Sequence, residues 1–137
     1  MEISVSMQQG RVPVTIVQPH GDVDASNYKE LTKKVEDLIK SSARDFIIDL
    51  SDVPFMSSAG LVGLHSIAII LRGEQPADPQ SGWGALKAMD RDRDRGMQKH
   101  IKLFGPQQYV ADTFDKAGFT QFFEIFMDLQ KAVASFP

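Results

Sequence analysis

Cysteine is absent from the 137 residues of this chain, and positive charge is not in excess. Without cysteine the chain has no disulfides and no thiolate metal sites, which is typical of proteins from a reducing cytoplasm. The 15 basic residues are outnumbered by 18 acidic ones, which gives a net charge of −3. We therefore expect no direct binding to nucleic acid.

Signals for export and for membrane insertion are equally scarce. The N-terminal residues MEISVSMQQG lack the charged-then-apolar layout of a signal peptide. The longest apolar run, from Leu61 to Leu71, is too short and too interrupted to span a bilayer. The length fits one domain. We expect a single cytoplasmic domain without a membrane partner, and the oligomeric state stays open.

Motifs for metal, nucleotide or catalytic chemistry are also missing. No pair among the three histidines has the spacing of metal ligands, so we expect no metal and no cofactor. Neither GxxxxGK[ST] nor GxGxxG occurs. A serine nucleophile needs a base and a group that orients the base. Ser58 is outside any GxSxG elbow, and no histidine follows an acid in the hydrolase order, so we expect no enzyme.

Two apolar runs mark the centre of the chain. Phe46 to Leu50 is typical of a strand covered on both faces, and Leu61 to Leu71 predicts a largely buried helix. Between them, Ser57 and Ser58 stand where the loop turns into the helix. The unpaired N–H groups and positive dipole of a helix N-terminus favour an anion there. Each serine is therefore a candidate helix cap or a candidate phosphate carrier.

The remaining periodicities predict strands that alternate with helices. Met1, Ile3, Val5 and Met7 alternate with polar residues, which predicts a strand with one buried face, paired in a hairpin with a second strand from Val12 to Val17. The predicted order is β-β-α-β-α-β-α-β-α, with Phe122 to Phe126 as the last strand. Such alternation indicates an α/β fold whose sheet is mostly parallel after the hairpin.

One segment interrupts this pattern. Residues 74–99 contain two prolines, three glycines and the charge run from Asp90 to Arg95, with five acidic and five basic residues in all. A connection of this length is unusual within a compact domain. We interpret it as an insertion between the second helix and the following strand, with a short amphipathic helix predicted from Ser81 to Arg95.

Two loops are expected to share one edge of the sheet. Asp22, Asp24 and Asn27 lie in the loop after the second strand, and the serines lie in the loop after the central strand. Because loops at the carboxyl ends of parallel strands gather at one edge, the acidic residues are expected beside the serines if the two strands are neighbours. Acidic residues in such loops are also common solvated turn formers, so a partner contact and a turn role both stay open.

Three stretches of the sequence resemble the STAS domain of bacterial anti-sigma factor antagonists: GDVDASNYKEL, FIIDLSDVPFMSSAGLVGL and IKLFGPQQYVADTFDKAGFTQFFEIF. The resemblance covers almost the whole chain apart from residues 74–99. It implies a single STAS domain over residues 1–137, with a mixed sheet of about five strands and helices packed mainly on one face.

The resemblance also implies a phosphorylation switch. The family's phosphorylated serine, two residues before a glycine, corresponds here to Ser58. An anti-sigma factor with serine-protein kinase activity would bind the unphosphorylated form, and a PP2C-type phosphatase would reset the phosphorylated one. Family members often have Asp before this serine, whereas this chain has Ser57. The expected partner-binding residues are Asp22, Asp24, Asn27, Phe55, Met56, Ser57, Ala59, Gly60 and Leu61.

Two alternatives remain beside the switch. The chain could be a constitutive scaffold, or a STAS module that binds a small ligand or nucleotide, in which Ser58 only caps the helix. It could also be a small hydrolase with Ser57 or Ser58 as nucleophile. Phosphorylation of Ser58 separates the first alternative from the switch, and labelling of Ser58 by a fluorophosphonate would favour the second.

Overall fold

The computed structural model describes residues 1–74 and 97–137. Within these ranges a five-stranded sheet is accompanied by four α-helices and one short 3-10 helix. In chain order the elements are β1 (Glu2–Gln9), β2 (Pro13–His20), α1 (Tyr28–Lys40), β3 (Phe46–Asp49), α2 (Ser58–Leu71), β4 (Ile101–Phe104), α3 (Gln108–Ala117), the 3-10 helix (Phe119–Gln121), β5 (Ile125–Phe126) and α4 (Leu129–Ala134). This order confirms the prediction. The helix predicted from Ser81 to Arg95 lies outside the described residues.

The strands lie side by side in their chain order. β1 pairs with β2 antiparallel, and each later neighbour pair is parallel, which confirms the mixed sheet. Pro13 is the first residue of β2, a position where its missing N–H interrupts no ladder. Because β2 and β3 run parallel, their carboxyl ends lie at the same edge of the sheet.

The sheet separates two apolar cores. The larger core lies between the sheet and α1, α2 and α3, and its buried members include Leu31, Leu64 and Phe114. The smaller core lies on the opposite face, where Phe136, just after α4, is buried with Ile16 and Ile47. Three of the four described helices therefore cover one face, as expected.

The helix ends follow from local chemistry. Gly118 ends α3 with a φ of 77°, a left-handed conformation that glycine adopts without steric cost. The Asp128 side chain accepts a hydrogen bond from the Lys131 N–H at 3.2 Å and so caps α4.

Two strand predictions need correction. The side chains of Met1 and Ile3 pack against the larger core, but Met7 is 67% exposed and lies with Val5 in an open groove near the end of α1. The expected buried face of β1 therefore covers only half of the strand. The last strand was expected from Phe122, but Phe122 and Phe123 lie in an aromatic cluster with ring centroids 4.9 Å apart, and β5 begins at Ile125.

Candidate functional site

Two loops meet at the edge of the sheet where β2 and β3 end. Three backbone hydrogen bonds join them: Gly21 N–H to Asp52 O (2.9 Å), Val23 N–H to Phe55 O (3.0 Å) and Ser57 N–H to Val23 O (2.9 Å). Val23 also forms an isolated parallel bridge with Met56. The loop with the acidic residues and the loop with the serines are thus held as one surface, as expected from the parallel pairing of the strands.

The two serines occupy different positions at the start of α2. Ser57 is the N-cap: its backbone is extended, and its Oγ accepts a hydrogen bond from the Gly60 N–H at 3.4 Å. Ser58 is the first residue of the helix and is exposed. Its Oγ makes no hydrogen bond to any part of the chain that the structure describes. The capping function therefore belongs to Ser57, and the hydroxyl of Ser58 is available to solvent.

Gly60 lets the two loops approach each other closely. A Cβ atom at this position would lie 2.9 Å from the Val23 carbonyl oxygen and 2.6 Å from Met56 Cγ. The bare first turn of α2 is therefore occupied by the chain's own loop.

Three of the expected partner-binding residues belong to the core. Met56 is buried, as are Gly60 and Leu61, and both Met56 and Leu61 pack in the larger apolar cluster. The chain itself covers most of the surface of these three residues, which leaves little of it exposed for the expected partner contact, and that contact stays a prediction. Ala59 is half-buried, so part of its surface remains accessible.

Asp24 and Asn27 organise the first loop. The Asp24 carboxylate accepts hydrogen bonds from the Ser26 hydroxyl at 2.5 Å and from the Ser26 N–H at 2.9 Å. These two bonds, the hydroxyl first, hold the pKa of Asp24 below its ordinary value of 3.8. The Asn27 side chain accepts from the Asp24 N–H at 3.0 Å and donates to the Asp22 carbonyl oxygen at 2.8 Å. The Asp22 residue is exposed beside them.

An aromatic pair extends this surface, and sequence reasoning missed half of it. Phe55 is 38% exposed, and its ring centroid lies 5.8 Å from that of Tyr109, which is 60% exposed. Tyr109 is in the first turn of α3, and Gln107 before it donates to the Ser51 carbonyl oxygen at 3.0 Å. The sequence does contain a signal for Tyr109, because α3 follows the carboxyl end of β4 and so begins at the same edge of the sheet.

The chemistry of this edge suits recognition more than metal binding. The first turn of α2 carries no acidic residue, so the positive end of its dipole is not offset from within the turn.

No cluster of His, Cys, Asp or Glu that could hold a metal ion occurs among residues 1–74 and 97–137. Over the same ranges, none of the helices combines the length and the apolarity needed to cross a bilayer.

Solved structures with this fold come from several bacteria. A Thermotoga maritima protein assigned as an anti-sigma factor antagonist has a TM-score of 0.71 at 15% identity, over 98% of this chain and 93% of its own. An anti-sigma factor antagonist from Mycobacterium paratuberculosis has a TM-score of 0.65 at 16% identity, over 98% and 94%. The Bacillus cell fate determinant SpoIIAA, in its phosphorylated form, has a TM-score of 0.54 at 13% identity, over 96% of each chain. At these identities the likeness shows the fold.

The family itself follows from the sequence. The model of the STAS domain family matches residues 6–74, which is half of the chain and includes both loops of the site. The match begins in β1 and ends just beyond α2. The chain therefore belongs to the STAS domain family.

Proposed function

We propose that this protein is an anti-sigma factor antagonist that works as a phosphorylation switch. The unphosphorylated form binds an anti-sigma factor with serine-kinase activity, and a phosphate on Ser58 releases that partner. A PP2C-type phosphatase returns the protein to its binding form. The protein acts in the cytoplasm as a regulator of transcription whose partner switch requires no catalysis by its own residues, and it contacts neither nucleic acid nor membrane itself.

The observation that carries this proposal is that two adjacent serines have different environments. Ser57 Oγ is engaged in the cap, whereas Ser58 is exposed and its hydroxyl is unengaged within the described chain. A kinase can therefore reach Ser58 without opening the helix. SpoIIAA, which shares the fold, is itself known in a phosphorylated form, and this supports a phosphorylated state for the present chain.

Electrostatics supports a switch in binding that leaves the fold intact. A phosphate adds about −1.5 to −2 charges, and the N-terminal end of α2 favours negative charge. A partner surface pressed against Ser58 would instead have to desolvate that charge. The binding free energy of the partner is therefore weakened by a few kcal/mol, and each ~1.4 kcal/mol lowers the affinity about tenfold.

The proposed docking surface joins polar and apolar residues around Ser58. Asp22, Asp24 and Asn27 form its polar side, and Ser57 and Ala59 flank the phosphate acceptor. Phe55 supplies the apolar contact that Met56 and Leu61, being buried, do not offer. Its exposed ring stands next to Tyr109, so the apolar part is broader than one side chain.

Phosphorylation can be tested on the purified chain. Incubation with ATP and a serine kinase of the anti-sigma class is expected to raise the intact mass by one phosphate. Ser58→Ala abolishes the mass increase, and Ser57→Ala, the matched control one residue away, retains it. Phosphate on Ser57, or none with a kinase that binds the chain, contradicts the switch and leaves a constitutive scaffold or ligand-binding module.

A second test measures partner exchange. Ser58→Ala and Ser58→Asp baits are used to capture partners from the source cell, with the wild type alongside. The switch predicts that Ser58→Ala retains an anti-sigma factor and Ser58→Asp loses it. Equal capture by the two variants contradicts the proposal.

A further inference from the structure

A hydrogen-bonded chain of serine, histidine and aspartate lies apart from the Ser58 surface. Ser4 Oγ is 2.7 Å from His20 Nε2, and His20 Nδ1 is 2.5 Å from Asp52 Oδ2. The imidazole thus touches a hydroxyl with one nitrogen and a carboxylate with the other. This is the connectivity of a nucleophile, a base and a group that orients the base.

Three elements bring these residues together. In the β1–β2 hairpin Glu2 pairs with His20 and Ser4 pairs with Gln18, so Ser4 and His20 are diagonal neighbours on one face. Asp52 comes from the loop after β3, and its carbonyl oxygen accepts from the Gly21 N–H at 2.9 Å. The aspartate is therefore fixed to the residue that follows His20.

The chain of hydrogen bonds faces away from α2. Residues of β2 that share parity with His20, such as Ile16, belong to the smaller core beside α4, whereas Val17 belongs to the core under α1 and α2. Side chains alternate between the faces of a strand. The Ser4 hydroxyl is thus on the opposite face of the sheet from the helix that carries Ser58.

The acceptor properties of Asp52 fix the direction of proton donation. An ionised carboxylate only accepts hydrogen bonds, so His20 Nδ1 must carry the hydrogen of this contact. In the neutral imidazole Nε2 is then the acceptor, and the Ser4 hydroxyl donates to it. A base is therefore poised at the hydroxyl of Ser4.

We propose that Ser4, with His20 as general base and Asp52 as the orienting group, is a nucleophile that accepts acyl groups from activated carboxylic esters. The three residues act independently of Ser58. Ser58 accepts its phosphate from a kinase, whereas Ser4 uses a base supplied by its own chain.

The acylation step balances within these residues and the ester. Ser4 Oγ bonds to the ester carbonyl carbon while its proton passes to His20 Nε2. The bond from that carbon to the leaving oxygen breaks, and the leaving oxygen takes the proton from His20. Water later attacks the acyl carbon with His20 again accepting a proton, which frees a carboxylic acid and restores the Ser4 hydroxyl.

Exposure limits the substrates to esters with good leaving groups. The His20 side chain is 25% exposed and that of Asp52 is 61% exposed, and Ser4 is exposed as well. Water screens charges at such a site, so charge that develops on the carbonyl oxygen is weakly stabilised. Aryl esters, which release a stabilised phenolate, are therefore the expected class of substrate.

The probe for this proposal is p-nitrophenyl acetate added to the full chain. We expect one acetyl group on Ser4, located by fragmentation of the tryptic peptide formed by residues 1–11, which separates Ser4 from Ser6 and from the N-terminal amine. General-base catalysis typically contributes at least about a hundredfold, so His20→Gln is expected to slow Ser4 acetylation by roughly that factor. Asp52→Asn is expected to slow it by about tenfold or more.

Ser6→Ala is the matched control, because Ser6 is an exposed serine on the same face of β1 without a histidine contact in the described chain. It is expected to leave Ser4 acetylation unchanged. Thermal unfolding confirms that each variant is folded, and Asp52, being exposed, gives the safest substitution. Acetylation restricted to amines, or a Ser4 rate equal in wild type and in both His20→Gln and Asp52→Asn, overturns the proposal.

Discussion

At the scale of the residue, the hydroxyl of Ser57 lies 3.4 Å from the Gly60 N–H, while that of Ser58, one residue later, extends to solvent. An N-cap hydroxyl satisfies one of the otherwise unpaired N–H groups of the first turn. The same side chain in the next position contributes nothing to the helix end. Stability and phosphate acceptance are therefore assigned to separate residues and can be separated by mutation.

Ser57→Ala is expected to lower the free energy of unfolding by about 1 kcal/mol, toward the weaker end of the range for caps because the hydrogen bond is long. Ser58→Ala is expected to change it by less than about 0.5 kcal/mol, as at most exposed positions. Urea unfolding of the two variants measures the difference. A larger loss of unfolding free energy in Ser58→Ala than in Ser57→Ala would show that Ser57 is not the cap.

Asp24 gives a prediction in acid. Its carboxylate accepts two hydrogen bonds from Ser26, which lower its folded-state pKa below 3.8. The ionised form therefore adds stability at pH values above the unfolded-state pKa. That contribution is lost as the pH falls through the folded-state pKa. A carboxyl-carbon NMR titration is expected to give a midpoint below 3.8 in the wild type and a higher one in Ser26→Ala. Equal midpoints would contradict the role of Ser26.

Local sequence chemistry predicted a cap and a phosphate carrier without separating the two serines, and only the family resemblance pointed to Ser58 as the phosphate carrier. Two hydroxyls in adjacent positions satisfy the same pattern, and only the helix start, which is fixed by the bond from Ser57 N–H to Val23 O, separates them. Tyr109 was missed for a related reason. Its exposure depends on where α3 begins, and the apolar stripe of that helix starts one residue later, at Val110.

At the scale of the element, the contact of α2 with the first loop depends on Gly60. A Cβ atom would meet the Val23 carbonyl oxygen, which is backbone and already bonded to the Ser57 N–H. At Gly63 the nearest neighbour is instead a Tyr28 side-chain atom, 3.3 Å from the Cβ position. The two glycines of one helix therefore differ in what they tolerate.

Gly60→Ala is expected to destabilise the chain by roughly 1–3 kcal/mol from overpacking, partly offset by about 1 kcal/mol of better helix propensity. Gly63→Ala is its matched control and is expected to be close to neutral, because the Tyr28 ring can shift. Thermal unfolding measures both. If Gly60→Ala proved as stable as Gly63→Ala, the loops would not be held together by close packing.

Element order was predictable from the sequence because strands and helices differ in apolar period. The residues at which the elements begin and end were less predictable. Phe122 and Phe123 combine high strand propensity with burial, yet they pack as rings in a cluster with Phe119 and only Ile125 and Phe126 reach the ladder. Strand propensity measures how well a side chain packs on a half-buried surface, which aromatic clusters satisfy equally.

At the scale of the whole molecule, the sheet divides a core with three helices from a smaller core with one. Phe136 fills the smaller core and is fully buried. The Lys102 amino group lies 4.6 Å from the centroid of its ring and donates to Ser135 Oγ at 2.8 Å. The end of the chain is thus fastened to the face opposite Ser58.

Phe136→Ala is expected to lower the free energy of unfolding by about 3–5 kcal/mol through the cavity it leaves. Phosphorylation of Ser58 is expected to persist in the fraction that remains folded, because the cavity opens on the other face of the sheet. Urea unfolding and the kinase assay, carried out on one preparation, measure the two effects. Loss of Ser58 phosphorylation from protein that is still folded would show that the faces are coupled.

Residues that meet across the molecule were the hardest to foresee. Ser4, His20 and Asp52 come from three elements, and the proximity of the first two depends on the hairpin register. The predicted second strand ended at Val17, three residues before His20, so the histidine appeared to lie outside the sheet. A register shift of one residue would have turned Ser4 to the other face.

α2 also acts as a spacer. Its 14 residues extend over about 21 Å, with Ser58 at one end and Leu71 at the other. No single side chain spans that distance, so a substitution near Leu71 cannot touch a group bound at Ser58 directly. We therefore expect a kinase to reach Ser58 equally well whichever side chains stand at the far end of the helix.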